Sequence, residues 1–183
     1  MDNRKFSSER LKGWAVDLKA VYAGRWREDR APCLDLFESP DGNTACLLYD
    51  IAEIGVGKEI GRLAVFRNKA DPELLYNFAK LKCWYLYNSA AQFGVDGYIF
   101  VHRYKTALKF DRAQLFREKL TVTVCVLDLA AGRYALLDHL PENFYSVEHV
   151  AGTTYRFRSD LCGTVDLDLS RFNWHSLSGD SGF

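Results

Sequence analysis

Thr121-Val122-Thr123-Val124-Cys125-Val126-Leu127-Asp128-Leu129-Ala130-Ala131-Gly132-Arg133-Tyr134-Ala135-Leu136-Leu137 decides the fold class of this chain. Val122, Val124 and Val126 alternate with Thr123, Cys125 and Leu127, which is the period of a strand and not of a helix. β-branched side chains also suit a pleated, half-buried surface better than a helical one. Asp128 to Gly132 supplies turn chemistry, and Arg133 to Leu137 returns as a second strand. The unit is an antiparallel hairpin.

The same grammar extends outward in both directions. Toward the N-terminus stand Leu34 to Glu38, the turn Ser39-Pro40-Asp41-Gly42-Asn43, a strand from Thr44 to Ile51, and another from Gly61 to Arg67. Lys80 to Asn88 is an aromatic strand, and Gly94-Val95-Asp96-Gly97 turns into Tyr98 to Tyr104. Toward the C-terminus, Tyr145 to Val150 and Thr153 to Phe157 flank the turn Ala151-Gly152, and Val165, Leu167 and Leu169 alternate along an edge strand at 164–170. That makes about ten short strands, the signature of an all-β architecture. One element differs. Leu11, Trp14, Ala15, Leu18, Val21 and Tyr22 recur at helical spacing, so a helix is expected over 8–23, capped by Ser7 or Ser8, ended by Gly24 and docked on the sheet. The expectation is a single domain over 1–183, mainly an antiparallel meander with one N-terminal helix.

The 183 residues are enough for one well-formed core. Lys plus Arg and Asp plus Glu are each 24, giving a net charge of zero, so any partner is met through local patches. This speaks against nucleic acid and against a polybasic membrane-surface protein. No apolar run approaches a membrane span, and Met1 to Arg10 opens with charge and reads as no signal peptide. Cys33, Cys46, Cys83, Cys125 and Cys162 form no CxxC and are odd in number, which predicts reduced, buried thiols and a cytoplasmic location. Aromatic residues are 14% of the chain, and they are expected to fill the core for the most part.

Two segments, 33–77 and 81–140, repeat the order of strands and turns, and 144–158 reads as the opening hairpin of a third copy. Gly42, Gly97 and Gly152 are equally spaced along them. The Ser39-Pro40-Asp41-Gly42 hairpin and the Leu127-Asp128-Leu129-Ala130-Ala131-Gly132 turn resemble the turns inside the blades of β-propellers. The resemblance implies incomplete propeller-like sheets, because two and a half copies fall short of the about four blades a closed propeller needs.

The chemistry-bearing candidates are sparse. Gly179-Asp180-Ser181-Gly182 matches the nucleophile segment of chymotrypsin-like proteases, but only Phe183 follows it, where a serine cannot be held to active-site tolerance. Ile54-Gly55-Val56-Gly57-Lys58-Glu59 lacks the spacing of a phosphate loop and carries Glu59 where a hydroxyl is needed. His102, His139, His149 and His175 form no ligand pair, and His102 is expected at a strand end facing solvent. Asp50, Glu53, Lys58 and Glu59 crowd one loop rim without the Glu-x-Lys pairing of a magnesium nuclease. No catalytic residue, metal or cofactor is therefore expected.

What remains suits recognition. Arg25 to Arg30 sets Trp26 and Arg27 in a charged stretch, and Arg and Trp are enriched at interface hot spots. Glu53 and Glu59 on the 54–61 connection, and Asp111, Arg112 and Glu118 in the charged insertion, supply local charge. The expected role is a small protein-binding protein of the bacterial immunity type, which occludes a cognate toxin. The alternatives are a metal-assisted hydrolase and a structural module that forms homo-oligomers.

Overall fold

The computed structural model describes residues 13–23, 34–55, 58–85, 93–104, 122–138, 140, 144–159 and 163–177, with the side chains of 53–55, 58, 144 and 145 outside the description. Its described residues form two compact units, one running through Trp84 and the other starting at Tyr85.

In the first unit, α1 (Leu18–Tyr22) precedes strands β1 (Leu34–Glu38), β2 (Thr44–Gly55), β3 (Lys58–Arg67) and β4 (Glu73–Asn77). β1 pairs with β2, β2 with β3 and β3 with β4, all antiparallel. The short β5 (Trp84–Tyr85) touches β3 where Trp84 faces Gly61. The period-two pattern puts Leu34, Leu36, Ala45, Leu47, Tyr49, Ala64 and Phe66 into one core with Trp14 and Val21. Burying that apolar face is the main stabilising term of the unit. Asn77 ties the helix down: its Nδ2 donates to the Val21 carbonyl at 2.8 Å, and Tyr49 Oη donates to its Oδ1 at 2.6 Å. The expected docking of the helix on its sheet is found, but among the described residues the helix is the one turn Leu18–Tyr22, and 8–12 of the expected helix lie outside them. Gly13 sits at φ 95, and Asp17 caps the turn by accepting from the Lys19 amide at 2.9 Å, so Trp14 reaches the core from a non-helical segment.

In the second unit, β6 (Tyr98–Tyr104), β7 (Val122–Asp128) and β8 (Arg133–Leu137) are sequential antiparallel neighbours, and β12 (His175–Ser176) adds to β8. A separate sheet holds β9 (Phe144–Ala151), β10 (Thr154–Ser159) and β11 (Gly163–Asp168), with β10 in the middle. Tyr155 and Phe157 of β10 meet Phe100, Val124, Val126 and Leu137 in the second core. The opposite face of β10 carries Arg156 and Arg158, which pair across the strands with Asp166 and Glu148.

This pairing corrects the propeller-like reading. Among the described residues the strands pair as an antiparallel meander, and no pairing closes a sheet into a blade ring. The hairpin expected to open a third blade belongs instead to the three-stranded sheet. Gly42, Gly97 and Gly152 share a positive φ, of 70°, 81° and 54°, so their even spacing records three left-handed turn positions and not three blades. Among the described residues no helix is long and apolar enough to cross a membrane.

Candidate recognition ribbon

Glu53 and Glu59 belong to one structural element. The sequence reading stops β2 at Ile51 and starts β3 at Gly61, because Gly55 and Gly57 interrupt the pattern. Both strands instead run on as a hairpin, with β2 to Gly55 and β3 from Lys58. β1 accompanies β2 only as far as Tyr49, and β4 accompanies β3 only from Ala64. Among the described residues the stretch beyond is thus a two-stranded ribbon, touched by Trp84 at Gly61. Its register sets Glu53 directly opposite Glu59, with Ala52 opposite Ile60.

The ribbon begins at a β-bulge. Tyr49 faces Arg62 and Ala52 faces Ile60, so Asp50 and Ile51 together oppose Gly61 alone. Asp50 takes φ 54, a left-handed conformation that Asp tolerates better than most side chains. Its carboxylate Oδ2 lies 3.1 Å from Arg62 Nε and 3.4 Å from Lys82 Nζ. Arg62 Nη1 also donates to the Ala79 carbonyl. The two cationic side chains are only 19% and 14% exposed, whereas that of Asp50 is 46% exposed. Gly61 is required here by space: a Cβ would lie 2.8 Å from the Tyr49 carbonyl oxygen and 2.9 Å from Leu48 Cγ.

The other expected sites fare differently. Trp26, Arg27, Asp111, Arg112 and Glu118 lie outside the described residues, as does His139. His102 is not at a solvent-facing strand end. It is fully buried, stacks on Tyr85 with ring centroids 5.1 Å apart, and burial pulls its pKa down to about 4. His149 is exposed on β9, with Nε2 2.9 Å from the Gly152 carbonyl oxygen. His175 lies on β12 against the Tyr134 ring. Among the described residues no group of three or more His, Cys, Asp or Glu side chains is placed to hold a metal ion. The aromatics Trp84, Phe100 and Tyr104 are buried, as core filling requires. Sequence reasoning missed the linkage of Asp50, Arg62 and Lys82. Its components were visible, but Lys82 reaches Asp50 only through the fold. Compared with protein-family models, curated proteins and solved structures, the chain matches none.

Proposed function

We propose that this chain is a protein-binding protein whose ribbon, Asp50 to Arg62, presses its acidic positions against a basic surface of another protein. The observation that carries the reading is the register that sets Glu53 opposite Glu59 where, among the described residues, β2 and β3 run on beyond β1 and β4. Two acidic residue types at neighbouring positions of one hairpin suit a cationic partner surface. The zero net charge of the whole chain fits this, because attraction must then come from local charge.

A nuclease-like toxin, basic where it grips phosphates, is the class of partner that such a ribbon suits, and steric occlusion by an immunity-type protein is the corresponding mechanism. A cytoplasmic site of action accords with Cys46, Cys83 and Cys125, which are buried and reduced. The test is an affinity capture from the source cell, with wild-type bait beside bait carrying Glu53→Lys and Glu59→Lys, read by mass spectrometry. A basic protein retained by the wild type and lost from the double variant is the expected result. Equal retention by both baits overturns the ribbon as the contact.

A further inference from the structure

A strand at the edge of a sheet leaves half of its backbone N–H and C=O groups without a ladder partner, and natural sheets usually blunt such edges. The three-stranded sheet of the second unit has two edges, β9 and β11, with β10 between them. They are not equally protected. The ladder of β9 with β10 is broken by register shifts near both of its ends, whereas β11 pairs with β10 from Gly163 to Asp168 without one. β11 also carries no Lys and no Pro, two residues that commonly guard an edge. Its two acids are turned back onto their own chain. Arg156 of β10 donates to Asp166 at 2.7 and 2.8 Å, and Asp168 accepts from Thr153 Oγ1 at 2.6 Å and from the Ser170 amide at 3.0 Å. One hydrogen bond fixes which backbone groups of β11 face outward. The Leu169 amide donates to the Thr153 carbonyl at 2.9 Å, so these opposed residues are a hydrogen-bonded pair. The two kinds of pair alternate along an antiparallel ladder, so Gly163, Val165 and Leu167 direct their backbone groups to β10. Thr164, Asp166 and Asp168 direct theirs the other way, where among the described residues no strand pairs with them, and Thr164 and Asp166 are exposed.

We infer, independently of the ribbon, that β11 is the docking edge for a second copy of this chain, paired antiparallel with its own β11 about a twofold axis at Val165. Such an axis sets one residue against itself, and charge selects which. An axis at Asp166 opposes that acid to its own copy, and an axis at Leu167 opposes Asp166 to Asp168. An axis at Thr164 engages only the first residues of the strand. At Val165 the two valines face each other, Gly163 meets Leu167, and Thr164 meets Asp166 of the second copy, with no like charges opposed. Thr164 and Asp166 are also the residues whose backbone groups face outward, so each exchanges both ladder bonds with its counterpart and the two sheets become one. A second copy is favoured over an unrelated strand because the complementarity is complete within β11 itself. Twofold pairs are, besides, the commonest closed assemblies of identical chains.

Sedimentation velocity of the full chain over a range of concentrations tests this. A contact this short belongs to the weak, transient class, so the wild type should pass from one chain to two as concentration rises. Thr164→Pro removes an outward N–H and no donor to β10, the position in which an edge strand accepts Pro, and should sediment as a single chain throughout. Thr164→Val keeps the N–H and should follow the wild type. The axis itself is tested by Val165→Cys. Val165 directs its backbone to β10, so it meets its own copy as a non-hydrogen-bonded pair, with Cα atoms about 4.5 Å apart and within reach of a disulfide. Mild oxidation should therefore join two chains of Val165→Cys in clear excess over the wild type, whose native thiols serve as the control. A wild type that stays single at every concentration overturns the inference, and so does a Thr164→Pro that assembles like the wild type. Growth beyond two chains also overturns it, because a twofold contact closes on itself. If Thr164→Pro does not fold, Val165→Cys decides alone, and cross-linking no greater than that of the wild type counts against the axis.

Discussion

Tyr85 lies over His102 with ring planes only 21° apart, and His102 is wholly withdrawn from water in β6. Burial lowers the imidazole pKa from 6.5 to about 4, so the folded chain holds a neutral ring where the unfolded chain takes up a proton. The unfolded state therefore binds more protons between pH 6.5 and about 4, and stability falls as pH drops through that window. Above pH 6.5 the effect vanishes, and below about 4 it levels off. The full shift corresponds to about 3 kcal/mol. Urea unfolding of the wild type and His102→Leu at pH 7.5, 5.5 and 4.5 checks this. The wild type should lose more stability over that range than the variant, and parallel losses would show that His102 is not the group responsible.

Gly61 stands against the bulge with no room for a side chain. A Cβ there meets the Tyr49 carbonyl oxygen at 2.8 Å, and backbone cannot swing aside as the end of a long side chain can. Gly61→Ala should destabilise the chain by about 1–3 kcal/mol, the usual cost of overpacking a filled site. Ala has the better intrinsic conformational entropy, so a propensity argument alone predicts the opposite sign. Denaturant midpoints of the two proteins separate the alternatives, and a stabilised Gly61→Ala would mean that the bulge relaxes freely.

The alternation of Val122, Val124 and Val126 located β7, and the turn at Asp128 to Gly132 located its hairpin with β8, because strand period and turn chemistry are local properties. His102 was misplaced for a related reason. Alternation shows that a strand has two faces, but both faces of β6 are buried here, and nothing local to His102 records that. The propeller-like reading failed in the same way. Gly42, Gly97 and Gly152 do share a left-handed turn, yet pairings such as Gly61 with Trp84 and His175 with Tyr134 are long-range and decide the sheets. Over the described residues the helical spacing from Trp14 to Tyr22 is overridden locally, by Gly13 at φ 95 and the cap at Asp17. Of the candidate site, the acids Glu53 and Glu59 were legible as residue types. Their opposition was not, because Gly55 reads as a breaker although it sits inside β2, opposite Lys58.

Tyr155 joins the two sheets of the second unit, and its two ends make separable contributions. Its ring is fully buried, edge-on to Tyr98 at 5.7 Å and against Phe100 at 5.0 Å, and its hydroxyl donates to the Val95 carbonyl at 3.1 Å. Gly94 makes this approach feasible, since a Cβ there would lie 2.9 Å from the Tyr155 ring and hydroxyl. Burial pushes the phenol pKa up to about 12, so the hydroxyl stays protonated and able to donate through any ordinary buffer. Tyr155→Phe keeps the packing and gives up one hydrogen bond, for an expected loss of about 1 kcal/mol. Tyr155→Ala also opens a cavity between the sheets and should cost about 3–5 kcal/mol. The difference between the two variants in urea unfolding measures the packing directly. If the two variants lose equal stability, the hydroxyl and not the ring holds β10 against β6.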